Sequence, residues 1–350
     1  MNIPAATWQE PPSALEDTPG QTEPTPQPLP AIDNAATLLA DETITLPPLI
    51  IEDVLHRSLK GVLGSNSKAR KTWILLALAI SVATGTKFWK WNTRKGRVLY
   101  INFEIPRAFI RSRIKCLCRA KGVTDISNLD VWTLRGRAAP LWKLLPELIQ
   151  RIQASNYTLA IIDPIYKGLG GRDENSAGDI SELCIELERI AVETGAAVFF
   201  AAHFSKGNQA SKEAIDRIGG SGVWTRDADT IITLTKHKVE GAFTVDLILR
   251  NLPEIEPFVV EWRFPQMIHN PNLHPEDLKQ SGGRKREHEA DELWHLLDKR
   301  SLTTTAWQQE ADSDLGISRR TFYKLRKELE IAGRILKSKT NDKWTQVQKR

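Results

Sequence analysis

The sequence predicts an α/β protein: a mainly parallel sheet with helices on both faces, followed by a small C-terminal domain of helices and a hairpin. Three observations predict it. Apolar runs of strand length alternate with helix-length segments from about residue 59 to residue 250. Several of those runs, 157–162 and 196–202 among them, lack the polar alternation of a half-exposed strand, as buried parallel strands do. The first run leads into Gly64-Ser65-Asn66-Ser67-Lys68-Ala69-Arg70-Lys71-Thr72, one residue away from the phosphate-binding pattern G-x-x-x-x-G-K-[ST].

Taken in order, residues 59–64 read as a short strand entering a turn, and 73–83 as a buried helix rich in Ala and Leu. Strand, tight loop and helix are the setting a phosphate loop requires. Backbone N–H groups and the helix dipole favour an anion at such a terminus. Lys71 is placed to bridge the β- and γ-phosphates of ATP, and Thr72 to give its hydroxyl oxygen to Mg²⁺. Arg70 stands where the second glycine belongs. A side chain there enters the tight wrap unless its dihedrals are ordinary and its guanidinium turns outward. Alternatively, Lys68 and Arg70 place positive charge against the phosphates. A basic turn before a core helix, with no nucleotide, is the other reading of the same residues.

Further strands are expected at 97–103, 129–134, 157–162, 196–203, 229–236 and 243–250, with helices at 107–120, 141–154 and 180–194. Ligands of such sheets sit beyond the carboxyl ends of the strands, so the polar residues there are informative. Asp163 is the candidate for holding Mg²⁺ with Thr72. Glu104 is placed to orient and deprotonate water, and His203 to sense the γ-phosphate. A strand-terminal Asp or a lone His is commonly structural. The order of loop, Glu, Asp and His in one α/β domain carries the weight.

The 350 residues suffice for about two domains. Cys116, Cys118 and Cys184 form neither a disulfide framework nor a zinc spacing, which suits a reducing cytoplasm. The run 73–83 is too short to span a bilayer, and the proline-rich start is unlike a secretory signal. Charge is uneven: no Lys or Arg precedes Arg57, whereas the last 32 residues are strongly basic. Residues 1–45 therefore read as a disordered Pro-rich acidic arm, 46–270 as the ATPase domain, 271–288 as a linker and 289–350 as a DNA-binding domain.

These pieces together resemble a known family. The Ser67-Lys68-Ala69-Arg70-Lys71-Thr72 loop, the strand ending Asn102-Phe103-Glu104, Ile161-Ile162-Asp163-Pro164, Ala201-Ala202-His203-Phe204-Ser205-Lys206-Gly207 and Gly219-Gly220-Ser221-Gly222 are similar to RecA-type ATPases of the plasmid RepA-like hexameric helicase group. The resemblance spans about residues 45–265 and implies a RecA-like P-loop core binding ATP and Mg²⁺, with Glu104 as catalytic glutamate. It also implies a homo-oligomeric ring, usually a hexamer, with single-stranded DNA in its central channel. A neighbouring subunit's arginine completes such sites. Arg250 matches that place best and Arg226 is the reserve; the other reading pairs Arg250 with Glu254 or Glu256. An arginine in place of glycine resembles a subfamily trait.

Two long polar loops follow Asp163 and His203. In a ring they would face the channel, where Arg172, Lys206 and Lys212 are expected to track the DNA backbone; solvated mobile loops are the other reading of the same residues. At the C-terminus, helices at 289–297, 305–312 and 319–332 precede a hairpin across 334–347, the order of a winged helix-turn-helix. Its third helix is expected to expose Arg319, Arg320, Tyr323, Lys324 and Lys327 to duplex DNA and to turn Phe322, Leu325 and Leu329 inward; a solvated basic face on a protein–protein module is the other reading. The expected function is an ATP-dependent DNA helicase or translocase in replication of a mobile element. A non-motor regulator or replication initiator, and a RadA-type recombination mediator, are the alternatives.

Overall fold

A computed structural model describes residues 31–137, 139–205, 208–219, 222–279, 288–298, 300–338 and 340–347. The chain divides into two units, Met1–Leu46 and Pro47–Arg350. In the first, residues 1–30 lie outside the described residues, and α1 (Ala35–Ala40) is a short, fully exposed helix within the stretch read as an arm. The reason is local. Prolines stop at Pro30, and the Asn34 side chain accepts a hydrogen bond from the Ala36 N–H at 2.9 Å, capping a short Ala/Leu-rich turn.

The second unit opens with β1 (Leu49–Ile51) and β2 (Leu55–His56), a small antiparallel pair. The strands β3 (Lys60–Ser65), β4 (Val98–Asn102), β5 (Leu129–Thr133), β6 (Leu159–Asp163), β7 (Ala197–His203) and β8 (Thr230–Lys236) are parallel; β9 (Ala242–Leu249), β10 (Phe258–Arg263) and β11 (Gln266–His269) extend the sheet antiparallel. The spatial order is β11-β10-β9-β8-β3-β7-β6-β4-β5, with β3 between β7 and β8.

Helices α2 (Lys71–Thr84), α3 (Arg107–Lys121), α4 (Leu141–Ser155), α5 (Ala177–Thr194) and the short α6 (Val223–Asp227) connect the strands. Alternate strand residues feed two separate apolar clusters. Leu63, Ile161, Phe199 and Ala201 pack with α2, whereas Val62, Ile162, Val198 and Phe200 pack with α4 and α5. The two-residue period of a strand thus buries both faces. α2 is apolar around nearly its whole circumference, from Ile74 to Ala83, and lies inside the first cluster. Gly61 permits its close packing: a Cβ there would stand 2.3 Å from Phe199 Cδ2.

The strands β1, β2, β10 and β11 were not expected from sequence. The first two hold only three and two residues, and β10–β11 turns at Phe264-Pro265, where proline reads as a break. The segment 271–279, read as linker, is instead tied to β8: Lys279 N–H donates to the Lys236 carbonyl at 2.8 Å, and Lys238 pairs with Asp277 at 2.7 Å. Residues 280–287 lie outside the described residues.

Toward the C-terminus run α7 (Ala290–His295), β12 (Leu302–Thr303), α8 (Thr304–Leu315), α9 (Arg319–Ile331), β13 (Ile335–Lys337) and β14 (Lys343–Gln346). They have their own core of Leu293, Leu297, Trp307, Phe322, Leu325, Leu329 and Trp344. Thr303 caps α8 and Ser318 caps α9, each accepting from a backbone N–H three residues on. β14 pairs with β13 and also with β12, a strand absent from the expected order.

Candidate nucleotide-binding site

The loop Asn66–Arg70 leaves the carboxyl end of β3 and enters α2, a 14-residue helix whose N-terminus has no side-chain cap. Uncapped N–H groups at such an end are the donors a phosphate requires. Gly64 holds the strand end close to its neighbour, since a Cβ there would meet Ile218 Cγ1 at 2.6 Å.

Arg70 does not have the ordinary dihedrals expected if an arginine were to fit. Its φ of 65° and ψ of 28° are left-handed, the region glycine favours. Lys68 has φ 63°. Of the two readings of its side chain, outward or against the phosphates, the structure shows the outward one: the Arg70 guanidinium carbon lies 4.3 Å from the Trp262 ring centroid on β10. Trp262 in turn meets Trp73 edge-on at 5.8 Å, with Arg113 5.1 Å over Trp73. The backbone thus keeps the glycine geometry while the side chain leaves the loop. Left-handed strain costs about 1–2 kcal/mol, and a cation–π contact returns about 0.5–1 kcal/mol of it.

Lys71 is buried, and its ammonium donates to the Ser65 carbonyl at 3.1 Å and the Asn66 carbonyl at 3.3 Å. It also lies 3.2 Å from His203 Nδ1. Burial pulls the Lys71 ammonium down to about 8, against the opposing fields of Asp163 and Glu104. His203, half-buried at the end of β7, is held below the ordinary histidine range by burial and by the Lys71 charge.

Asp163 ends β6 and is buried. Tyr100 of β4 donates its hydroxyl to Asp163 Oδ2 at 2.6 Å, and the Thr72 hydroxyl beside that carboxylate favours its charged form. Burial raises the Asp163 carboxyl above its usual range, while the Tyr100 and Thr72 hydroxyls oppose the rise. A hydroxyl and a carboxylate side by side are hard oxygen donors of the type Mg²⁺ takes, so the residues present fit the ion.

Glu104 lies just beyond β4. Asn102 shapes that turn: its Oδ1 accepts from the Ile105 N–H at 2.9 Å and its Nδ2 donates to the Ile105 carbonyl at 2.6 Å. The Glu104 carboxylate accepts a hydrogen bond from the Tyr166 hydroxyl. It borders an open cleft of about 650 Å³ with Phe103, Arg135 and Lys167 on its walls. The Tyr166 ring also lies 5.8 Å from that of His203. Lys71, Thr72, Glu104, Asp163 and His203 are therefore brought together at the carboxyl ends of β3, β4, β6 and β7.

Other expected site residues lie elsewhere. Arg250 follows β9 at the opposite end of the sheet, and its partners are the Arg226 carbonyl and Asp229 at 3.8 Å, in place of Glu254 or Glu256. Arg172 is gripped by Glu186 at 2.8 Å and Glu182 at 3.1 Å, both on α5. Lys212 donates to Ser205 Oγ at 2.5 Å, within a loop pinned by the Arg217–Asp246 ion pair. Lys206 lies outside the described residues. On α9, Arg319, Arg320, Tyr323, Lys324 and Lys327 are exposed. Among described residues no cluster of three His, Cys, Asp or Glu side chains is arranged to hold a metal ion, and no helix is long and apolar enough to cross a membrane.

Sequence reasoning missed Tyr166, Tyr100 and Asn102. Asn102 carried a signal, because asparagine beside a turn commonly bonds the backbone two or three residues on. The tyrosines carried none: their roles depend on neighbouring strands placing them against carboxylates.

A parallel sheet with a phosphate-type loop, a lysine and a Thr–Asp pair at its carboxyl edge defines a P-loop nucleotide-binding ATPase core. The family model for the AAA domain matches residues 23–209, more than half the chain, and the chain belongs to that family. The matched span contains Lys71, Thr72, Glu104, Asp163 and His203. No curated protein gives a sequence match.

Proposed function

We propose that the chain is an ATP-dependent DNA motor of the RepA-like helicase type, acting in replication of a mobile element. The observation that carries this reading is the convergence of Lys71, Thr72, Glu104, Asp163 and His203 in a chain that also bears an exposed basic helix, α9. Lys71 leaves its loop carbonyls to meet the β- and γ-phosphates of ATP. Thr72 and Asp163 hold Mg²⁺, which neutralises phosphate charge when bound. Glu104 orients water and takes its proton; His203, kept neutral, stands beside Lys71 to report the γ-phosphate. Arg250 acts in trans, reaching a neighbour's nucleotide in a ring, usually of six subunits, around single-stranded DNA. Its place at the opposite end of the sheet from its own phosphate loop is compatible with that role, as it is with the structural pairing to Asp229. The residues from 289 onward form a winged helix-turn-helix in which Arg319 and Arg320 reach base edges and Lys324 a phosphate.

The test is single-strand-stimulated ATP hydrolysis together with unwinding of a forked duplex. Absence of hydrolysis under every DNA condition sinks the motor, and hydrolysis without unwinding points to a recombination mediator. One observation favours a non-motor switch. Lys71 is bound to its own loop and Glu104 to Tyr166, a resting arrangement that nucleotide has to undo. Under that reading ATP drives assembly without turnover, and electron microscopy with a non-hydrolysable analogue shows the ring while the hydrolysis assay stays blank.

A further inference from the structure

At the amino-terminal ends of the strands, away from the nucleotide site, a cavity of about 220 Å³ is bordered by Arg57, Arg94, Lys95, Thr158 and the segment Pro48–Ile50. Arg57 precedes β3, Lys95 precedes β4 and Thr158 precedes β6, whereas Lys71 and Glu104 lie past, and Asp163 at, the other ends of those strands. Traversing β3 alone spans about 17 Å at roughly 3.3 Å per residue. One nucleotide at the phosphate loop therefore does not fill both places.

The main chain carrying the two arginines is tied down. Arg57 N–H donates to the Pro48 carbonyl and Arg94 N–H to the Ile50 carbonyl, both at 2.9 Å, so both arginines are anchored to the same β1 segment. Arg57 Nε donates to the Gly195 carbonyl at 2.9 Å, which fixes the guanidinium plane and leaves its terminal nitrogens. Thr158 packs so closely on the turn before β4 that a Cβ on Gly96 would stand 2.3 Å from Thr158 Oγ1. Three positive charges thus border one small cavity, and none of its lining residues is acidic. Asp125 acts on Lys95 from outside the lining, and the neighbouring Arg97 is already paired with Asp130 at 3.0 Å. Like charges gathered this way repel, and half-burial of Arg57 adds a desolvation cost that a bound anion offsets. Two guanidinium groups with an ammonium match the tetrahedral oxygens of a phosphate group, while the Thr158 hydroxyl is committed to the Arg97 carbonyl at 3.0 Å.

We propose that this cavity is a second phosphate-binding site, separate from the nucleotide site, taking the oxyanion of a small phosphate or of a nucleic-acid backbone. The test uses the full chain carrying Lys71→Ala, which disables the phosphate loop, and titrates inorganic pyrophosphate by calorimetry. Binding persists in that background, and adding Arg94→Gln with Lys95→Gln weakens it by about tenfold, as expected for lost charge-assisted contacts. Both residues are exposed, so the substitutions leave folding intact; Arg57→Gln is the second variant, with circular dichroism checking its fold. No pyrophosphate binding in Lys71→Ala, or binding indifferent to all three substitutions, overturns the proposal. A single-stranded oligonucleotide that competes with pyrophosphate identifies the backbone as source, and lack of competition identifies the free anion.

Discussion

The Tyr166 hydroxyl donates a hydrogen bond to the Glu104 carboxylate, joining the loop after Asp163 to the proposed general base. The bond occupies a carboxylate oxygen that water would otherwise meet. It also ties that oxygen to a segment whose movement in a DNA-responsive ring would release it.

Tyr166→Phe therefore raises DNA-independent ATP turnover and narrows the stimulation by single-stranded DNA. A hydrogen bond to a charged acceptor is worth roughly 1.5–3 kcal/mol, so recovering half of it raises the rate by about three- to tenfold. Steady-state hydrolysis with and without DNA measures this. A fall to the level of a Glu104-deficient enzyme would show instead that the tyrosine supports the base.

Glu104→Gln keeps nucleotide binding and lowers hydrolysis by roughly 10²–10⁴, the usual worth of a general base. Fluorescent-nucleotide titration and single-turnover hydrolysis separate the two effects. Equal loss of both would place Glu104 in binding.

The lowered Lys71 value gives nucleotide affinity a pH dependence of definite sign. In the free protein burial brings the ammonium to about 8. Phosphates favour the charged form, so binding raises that value and takes up a proton wherever free Lys71 is neutral. Affinity is therefore full below about pH 8 and falls above it, by up to about tenfold per pH unit. Calorimetry at about pH 9 in two buffers of different ionisation enthalpy reads the proton uptake directly. Zero uptake counts against a buried, partly neutral Lys71.

At position 70 glycine and alanine behave differently. Arg70→Gly removes the left-handed strain and the Trp262 contact together, leaving stability within about 1 kcal/mol of the parent. Arg70→Ala keeps the strain and loses the contact, costing about 1 kcal/mol. Urea unfolding compares them, and equal values would remove the backbone from the explanation.

Arg319→Ala with Arg320→Ala weakens duplex binding and reduces its salt dependence by a slope of about 1 or more. Hydrolysis in the absence of DNA stays at the parent level. Loss of that basal hydrolysis would argue against a separable C-terminal reader.

The sheet was legible because its signal is local and repeated: apolar runs at 98–102, 159–163 and 197–203 leave few alternatives to buried strands. Lys71, Thr72, Glu104, Asp163 and His203 were expected for a related reason, since each lies at a strand end or at the start of α2 after the loop. Tyr100 and Tyr166 were not, because a tyrosine looks the same in a core and beside a carboxylate. β12 is too short to have a pattern, and β10–β11 was hidden by Pro265. Arg172 shows the limit of reading charge along a chain: its two glutamates lie on α5, ten and fourteen residues away.

The left-handed angle at Arg70 separates two things that a sequence pattern writes as one letter. What the wrap demands is a torsion, and glycine is only the least costly residue able to supply it. An arginine docked on Trp262 fulfils the same demand and makes the phosphate loop answerable to β10, a strand some 190 positions downstream. A lesion at Trp262 would therefore read out as a fault in nucleotide handling, although nothing in the local wording of either segment connects them.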